Sequence, residues 1–167
     1  MGEQLGSPFN TLTMATTPLY NDKKLKIKMK NLEVKKNYTV QVTNLTTGAT
    51  TSFKQRARGG SINRVINFEA TGVTRTVVKT ADGNIVKDTT SVATSDIDCC
   101  IAKLVHDAIN CTCKCNKCDE DLKRAHKIHL LVMSAKYEAH TLASPENANA
   151  KVLKAQELCT EVCACGC

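Results

Sequence analysis

From Lys24 the chain alternates with a period of two. Leu25, Ile27 and Met29 fall on one side, and Lys24, Lys26, Lys28 and Lys30 on the other. That pattern predicts a half-buried strand with a lysine-covered outer face, and a lysine row also suits an edge that must resist unwanted pairing. Tyr38, Val40 and Val42 keep the period. Asn44-Leu45-Thr46-Thr47-Gly48 then reads as a turn before Thr50–Lys54. The polar, glycine-containing stretch Gln55–Gly60 reads as a loop and Val65–Phe68 as the next strand. Arg75–Thr80 and Asn84–Thr90 flank Ala81-Asp82-Gly83, a hairpin signal because Asp-Gly accepts positive φ. About six or seven short strands with frequent turns predict an immunoglobulin-like β-sandwich, although the cysteines and tryptophan of antibody domains are missing.

At Ser95 the period changes to that of a helix. Ser95-Asp96-Ile97-Asp98 has the form of a capping box, and Ile97, Cys100, Ile101, Leu104, Val105, Ala108 and Ile109 follow at helical spacing. A second helix is predicted from Asn116 or Cys118, with Asp119, Glu120 and Asp121 complementing its dipole. It runs to about Leu142 with Leu122, Leu130, Met133 and Tyr137 on its apolar side. Ser144-Pro145 opens a third helix carrying Val152, Leu153, Ala155, Leu158 and Val162. The predicted class is α+β: an extended arm over 1–20, a β-sandwich over 21–95 and a cysteine-stapled three-helix module over 96–167. Few contacts are expected to cross the polar junction at Thr90–Ser95.

Composition sharpens this division. Residues 1–95 hold fourteen Lys and Arg against six Asp and Glu, whereas residues 96–167 hold nine against ten. The basic charge therefore belongs to the β part, as a solvated face or a weak, sequence-independent contact to DNA. Base stacking would need aromatics, and these make up only 4% of the chain, with no tryptophan. No run approaches the ~20 apolar residues that span a bilayer, so no membrane role is expected. The first residues lack the basic and apolar regions of a signal peptide.

All ten cysteines follow Asp98, and eight form two groups: Cys111, Cys113, Cys115 and Cys118, then Cys159, Cys163, Cys165 and Cys167. A second helix ~36 Å long, answered by a long third helix, would bring both groups to one end. Convergent thiolates could hold zinc there, disulfides could staple the bundle, or the thiols could stay free as small buried packing residues. The Cys-x-Cys spacing fits a zinc knuckle poorly. The vicinal Cys99-Cys100 pair, placed at the other end, reads as small apolar packing. His106, His126, His129 and His140 lie on predicted helices, with His126 and His129 three residues apart on one face. No Ser/His/Asp set, phosphate loop or paired-acid motif is present, which argues against an enzyme, and no cofactor is required beyond the zinc alternative.

The runs Asp98-Cys99-Cys100-Ile101-Ala102-Lys103-Leu104, Cys113-Lys114-Cys115-Asn116-Lys117-Cys118 and Lys127-Ile128-His129-Leu130-Leu131-Val132-Met133-Ser134-Ala135-Lys136-Tyr137 together resemble a helical segment of structural proteins of tailed phages. These phages infect Bacteroidetes and include the crAss-like group. The resemblance covers residues 96–163, and the tail at Cys163, Cys165 and Cys167 departs from it. It implies a non-enzymatic virion protein, a repeated subunit of the neck ring, collar or tail. Such a protein is assembled in the host bacterial cytoplasm and released to oxidising surroundings that permit late disulfides. The expected partners are further copies of itself and other virion structural proteins. A zinc-thiolate adaptor that binds nucleic acid or an acidic partner is the alternative.

Overall fold

The alternation at Lys24 becomes strand β2 (Lys24–Lys30), with Leu25, Ile27 and Met29 fully buried. The computed structural model describes residues 12–19, 21–111 and 117–164. Around β2 it places β1 (Thr13–Leu19) and β5 (Ile62–Asn67), in the order β1-β2-β5. A second sheet is formed by β3 (Asn37–Asn44), β4 (Thr50–Arg56), β6 (Gly72–Thr80) and β7 (Ile85–Ala93), in the order β4-β3-β6-β7. Every pairing is antiparallel. Leu25, Ile27, Met29 and Ile62 of the first sheet share one buried cluster with Tyr38, Val40, Val42 and Val78 of the second.

Two expectations about this half change. β2 lies between two strands, so its lysines cover the middle of a sheet and guard no edge. Residues 13–19 of the expected arm form β1, with Met14 opposite Met29 and buried; the backbone groups along β2 need a partner on both sides. β5 also starts earlier than its apolar run. Ile62, Arg64 and Ile66 share one side of it; Ile62 is buried and Ile66 half-buried, while Arg64 is exposed with its guanidinium 4.3 Å from the centre of the Phe53 ring. A charged residue between Ile62 and Ile66 concealed that strand's period.

Three helices follow: α1 (Ser95–Ile109), α2 (Lys117–His140) and α3 (Pro145–Ala164). The cap of α1 is Thr94 and not Ser95; Thr94 Oγ1 reaches Asp98 Oδ2 at 3.5 Å, while Ser95 Oγ donates to Asp22 Oδ2. A second buried cluster unites Ile97 and Leu104 of α1, Ala125, Ile128, Val132 and Ala135 of α2, and Val152, Ala155 and Leu158 of α3. Val73 of β6 belongs to it as well. Along β6, Thr74, Thr76 and Val78 face the sheet-to-sheet core, so Val73 and Arg75 face the other way, towards the helices.

The junction between the halves is well populated. Asn44 is fully buried at the end of β3. Its amide donates to the carbonyls of Glu69 (2.9 Å) and Thr71 (2.8 Å), and its Oδ1 accepts from the amides of Thr46 (2.8 Å) and Thr47 (3.0 Å). The turn held in this way turns Thr46 towards α3. Thr46 Oγ1 accepts from the Val73 amide at 3.0 Å and donates to Asn149 Oδ1 at 2.6 Å, while Asn149 Nδ2 donates to the Leu45 carbonyl at 3.1 Å. Gly72 makes room for this contact: it sits at φ +95, and a Cβ there would come within 2.7 Å of Thr46 Cβ.

Candidate functional site

The described cysteines pair across different elements than their grouping suggests. Cys111 bonds Cys118, closing the turn from α1 to α2 with their Cα atoms 6.0 Å apart. Cys159 of α3 bonds Cys100 of α1, with Cα atoms 5.9 Å apart. The expected link between the two cysteine groups is therefore corrected for these residues: the first pair closes within its own group, and Cys159 takes a partner assigned to packing. Helix lengths supply the reason. At ~1.5 Å per residue, Cys100 lies ~14 Å below the end of α1, and Cys159 lies ~21 Å along α3 beside an α2 of ~36 Å. That brings the two to one level, in the middle of the bundle. Cys113, Cys115, Cys165 and Cys167 lie outside the described residues, as does the side chain of Cys163.

Cys99, exposed and without a disulfide, lies with the Cys100–Cys159 pair in a shallow groove completed by Ile97, Lys103 and Gln156. No three His, Cys, Asp or Glu side chains converge as a metal set among the described residues. His126 and His129 are both exposed on α2, and His106 lies 3.7 Å from Asp107.

The lysine row keeps its outward direction: Lys24, Lys28 and Lys30 are exposed and Lys26 is half-buried. The other basic side chains do not extend it. Phe53 packs inward, so Lys54 and Arg56 on β4 face out from the opposite sheet. Lys36 is taken up by Glu33 at 2.8 Å, and this hydrogen bond, with the carboxylate's charge, holds the Lys36 ammonium above its ordinary pKa. Arg75 grips Asp88 through two hydrogen bonds of 3.0 and 2.6 Å, which raise its pKa against a smaller opposing effect of burial. Glu146 of α3 stands 3.6 Å from the same guanidinium.

These placements overturn the partner set expected from sequence. The extended arm expected over 1–20 is instead, over residues 13–19, a strand paired with this chain's own β2, while residues 1–11 and 20 lie outside the described residues. Of the basic side chains offered as a solvated face or a weak DNA contact, the β2 lysines and Lys54 and Arg56 lie on opposite sheets, and Lys36 and Arg75 are ion-paired. Among the described residues no helix is long and apolar enough to cross a membrane.

α2 shows the largest departure. Ala125, Ile128, Val132, Ala135 and Ala139 form its buried face, whereas Leu122, Leu130, Met133 and Tyr137, expected to face the core, are 46%, 50%, 55% and 54% exposed. Alanines let α2 pack close to its neighbours, and the larger residues are left outside. Five alanine and β-branched positions at 3-4-3-4 spacing were the available signal, and the small alanines among them hid it.

No protein-family model matches the chain, and none of the curated proteins does. Among solved structures, macromomycin is 14% identical, with a TM-score of 0.36 over 50% of this chain and 97% of its own. A family 76 glycoside hydrolase from Bacteroides thetaiotaomicron is 12% identical, with a TM-score of 0.38 over 59% of this chain and 23% of its own. The chitinase ChiW from Paenibacillus sp. is 21% identical, with a TM-score of 0.36 over 54% of this chain and 9% of its own. Likenesses this low carry no argument about fold or function.

Proposed function

We propose that the chain is a non-enzymatic structural module, an immunoglobulin-like sandwich bearing a disulfide-stapled three-helix platform, that works in oxidising surroundings. The strand order β1-β2-β5 against β4-β3-β6-β7, around one shared core, supports the sandwich reading. The observation that carries the functional reading is the double anchoring of α3. The Thr46–Asn149–Leu45 hydrogen bonds fix its first turns to the sheet, and the Cys100–Cys159 bond fixes its later turns to α1. Such bracing suits a part that must hold its neighbours' positions. Disulfides of this kind persist where thiols are not continually reduced.

The narrower form of the reading, a neck or tail component of a phage particle, rests on the sequence resemblance over residues 96–163. Mass spectrometry of purified particles of Bacteroidetes phages encoding the chain tests it: a stoichiometric presence supports the reading and absence from particles overturns it. The broader form fails if the purified, oxidised chain turns over ester, phosphoester, glycoside or peptide substrates in a saturable way.

A further inference from the structure

The exposed residues of α2 are ordered. His126, Leu130, Met133, Tyr137 and His140 follow one another at spacings of four, three, four and three, with Leu122 one turn before them, and all six are exposed. They stand opposite the face formed by Ala125, Ile128, Val132, Ala135 and Ala139, which the rest of the fold buries. A narrow 4-3 seam is the geometry by which one helix receives another, whereas a helix lying in a membrane surface presents a much broader apolar face. The positions flanking the seam are basic. Lys123 and Lys127 lie on one side, His129 and Lys136 on the other, and the three lysines make no ion pair among the described residues. The one carboxylate on α2 between Leu122 and His140, that of Glu138, turns away to meet Lys151 of α3 at 2.8 Å.

We propose that this face of α2 docks an amphipathic helix of another protein, with apolar residues at 4-3 spacing and Asp or Glu along both flanks. Charge decides the occupant. A second copy of the chain would set Lys123, Lys127 and Lys136 against one another, which like-charge rules disfavour. The anchoring of α2 between α1 and α3 means that the seam is already in its binding shape, so little ordering cost falls on this side of the contact. The proposal goes beyond the structural reading above and can fail without it.

The test uses the full chain with its disulfides intact and two synthetic helical peptides of about three heptads, identical at the apolar seam, one with Glu and the other with Lys at the flanks. By calorimetry or fluorescence anisotropy the Glu peptide should bind at least about tenfold more tightly than the Lys peptide, and its affinity should fall as salt is raised. Met133→Glu should abolish binding while leaving the melting curve in place. The double change Lys127→Glu with Lys136→Glu should reverse the peptide preference. Equal binding of both peptides, or binding of neither, overturns the proposal. So does binding to vesicles containing anionic phospholipid with no peptide preference, or dimerisation by sedimentation that Met133→Glu removes.

Discussion

Asn44 uses all of its hydrogen-bonding capacity inside the protein: two donors and two acceptor positions, each matched to a backbone group. Replacing it with Ala would strand the carbonyls of Glu69 and Thr71 and the amides of Thr46 and Thr47 near a fully buried position. Unfilled buried groups cost ~1–3 kcal/mol each, and since some of these would regain water, a loss of ~3–4 kcal/mol is expected for Asn44→Ala. Urea unfolding followed by circular dichroism reads this, and a loss below ~1 kcal/mol would show that the turn holds its shape without the side chain. Gly72→Ala should act on the same turn, because the new methyl group meets Thr46 at a positive φ that disfavours L residues. The turn itself was legible in Asn44–Gly48. The burial of Asn44 was not, since its partners at Glu69 and Thr71 are more than twenty residues away and no local pattern joins them.

At the scale of elements, the two disulfides should differ in weight. Cys100–Cys159 closes a loop with a sequence separation of 59, and Cys111–Cys118 one of 7. In the chain-entropy view these correspond to ~4 and ~2–3 kcal/mol. Cys159→Ser should therefore lower the guanidinium midpoint of the oxidised protein more than Cys118→Ser does; the reverse order would mean that the α1–α3 bond staples helices already held by packing. β2 gives a contrasting case. Its lysines cover the centre of a sheet face, so changing Lys24, Lys26, Lys28 and Lys30 together to Gln should move stability by no more than about 0.5 kcal/mol, while removing four of the net +7 charges and lowering solubility. A midpoint shift well beyond that would give the row a structural part. Periodicity located β2, β3 and all three helices, because each repeats apolar residues at the spacing of its own element. It chose the wrong side of α2, since Leu122, Leu130, Met133 and Tyr137 outweigh Ala125, Ala135 and Ala139 in hydrophobicity, and only the neighbours of a helix decide which of two apolar stripes is covered. Cys100 was misplaced for a related reason: spacing along a chain does not give height along a bundle when the helices differ in length.

The whole molecule is decided at the interface between sheet and helices, which the sequence reading expected to be sparse. Val73 reaches into the helical core from β6, and Leu45 and Val92 pack beside it. Arg75 bridges Asp88 and Glu146, and Asn149 joins α3 to the turn after β3. The apolar positions concerned lie on the outward face of β6, where a polar residue would be the ordinary expectation, so Val73 was the available sign that something covers that sheet. With this much shared surface the two parts should open together. In hydrogen exchange of the oxidised chain, the slowest amides of β3 and β6 should therefore open with nearly the same free energy as those of α2 and α3. Asn149→Ala removes two of the hydrogen bonds that tie the parts and leaves every residue of the core between the two sheets in place. It should speed exchange in α3 and α2 by an amount equivalent to ~1–2 kcal/mol, with a smaller effect on β2, whose contacts lie in the other cluster. If helices and strands already open with clearly different free energies in the unaltered chain, the parts are separate folding units and the Asn149 contact is a surface touch. If they open together and the variant separates them, that contact is the hinge on which the rigidity of the α2 face depends.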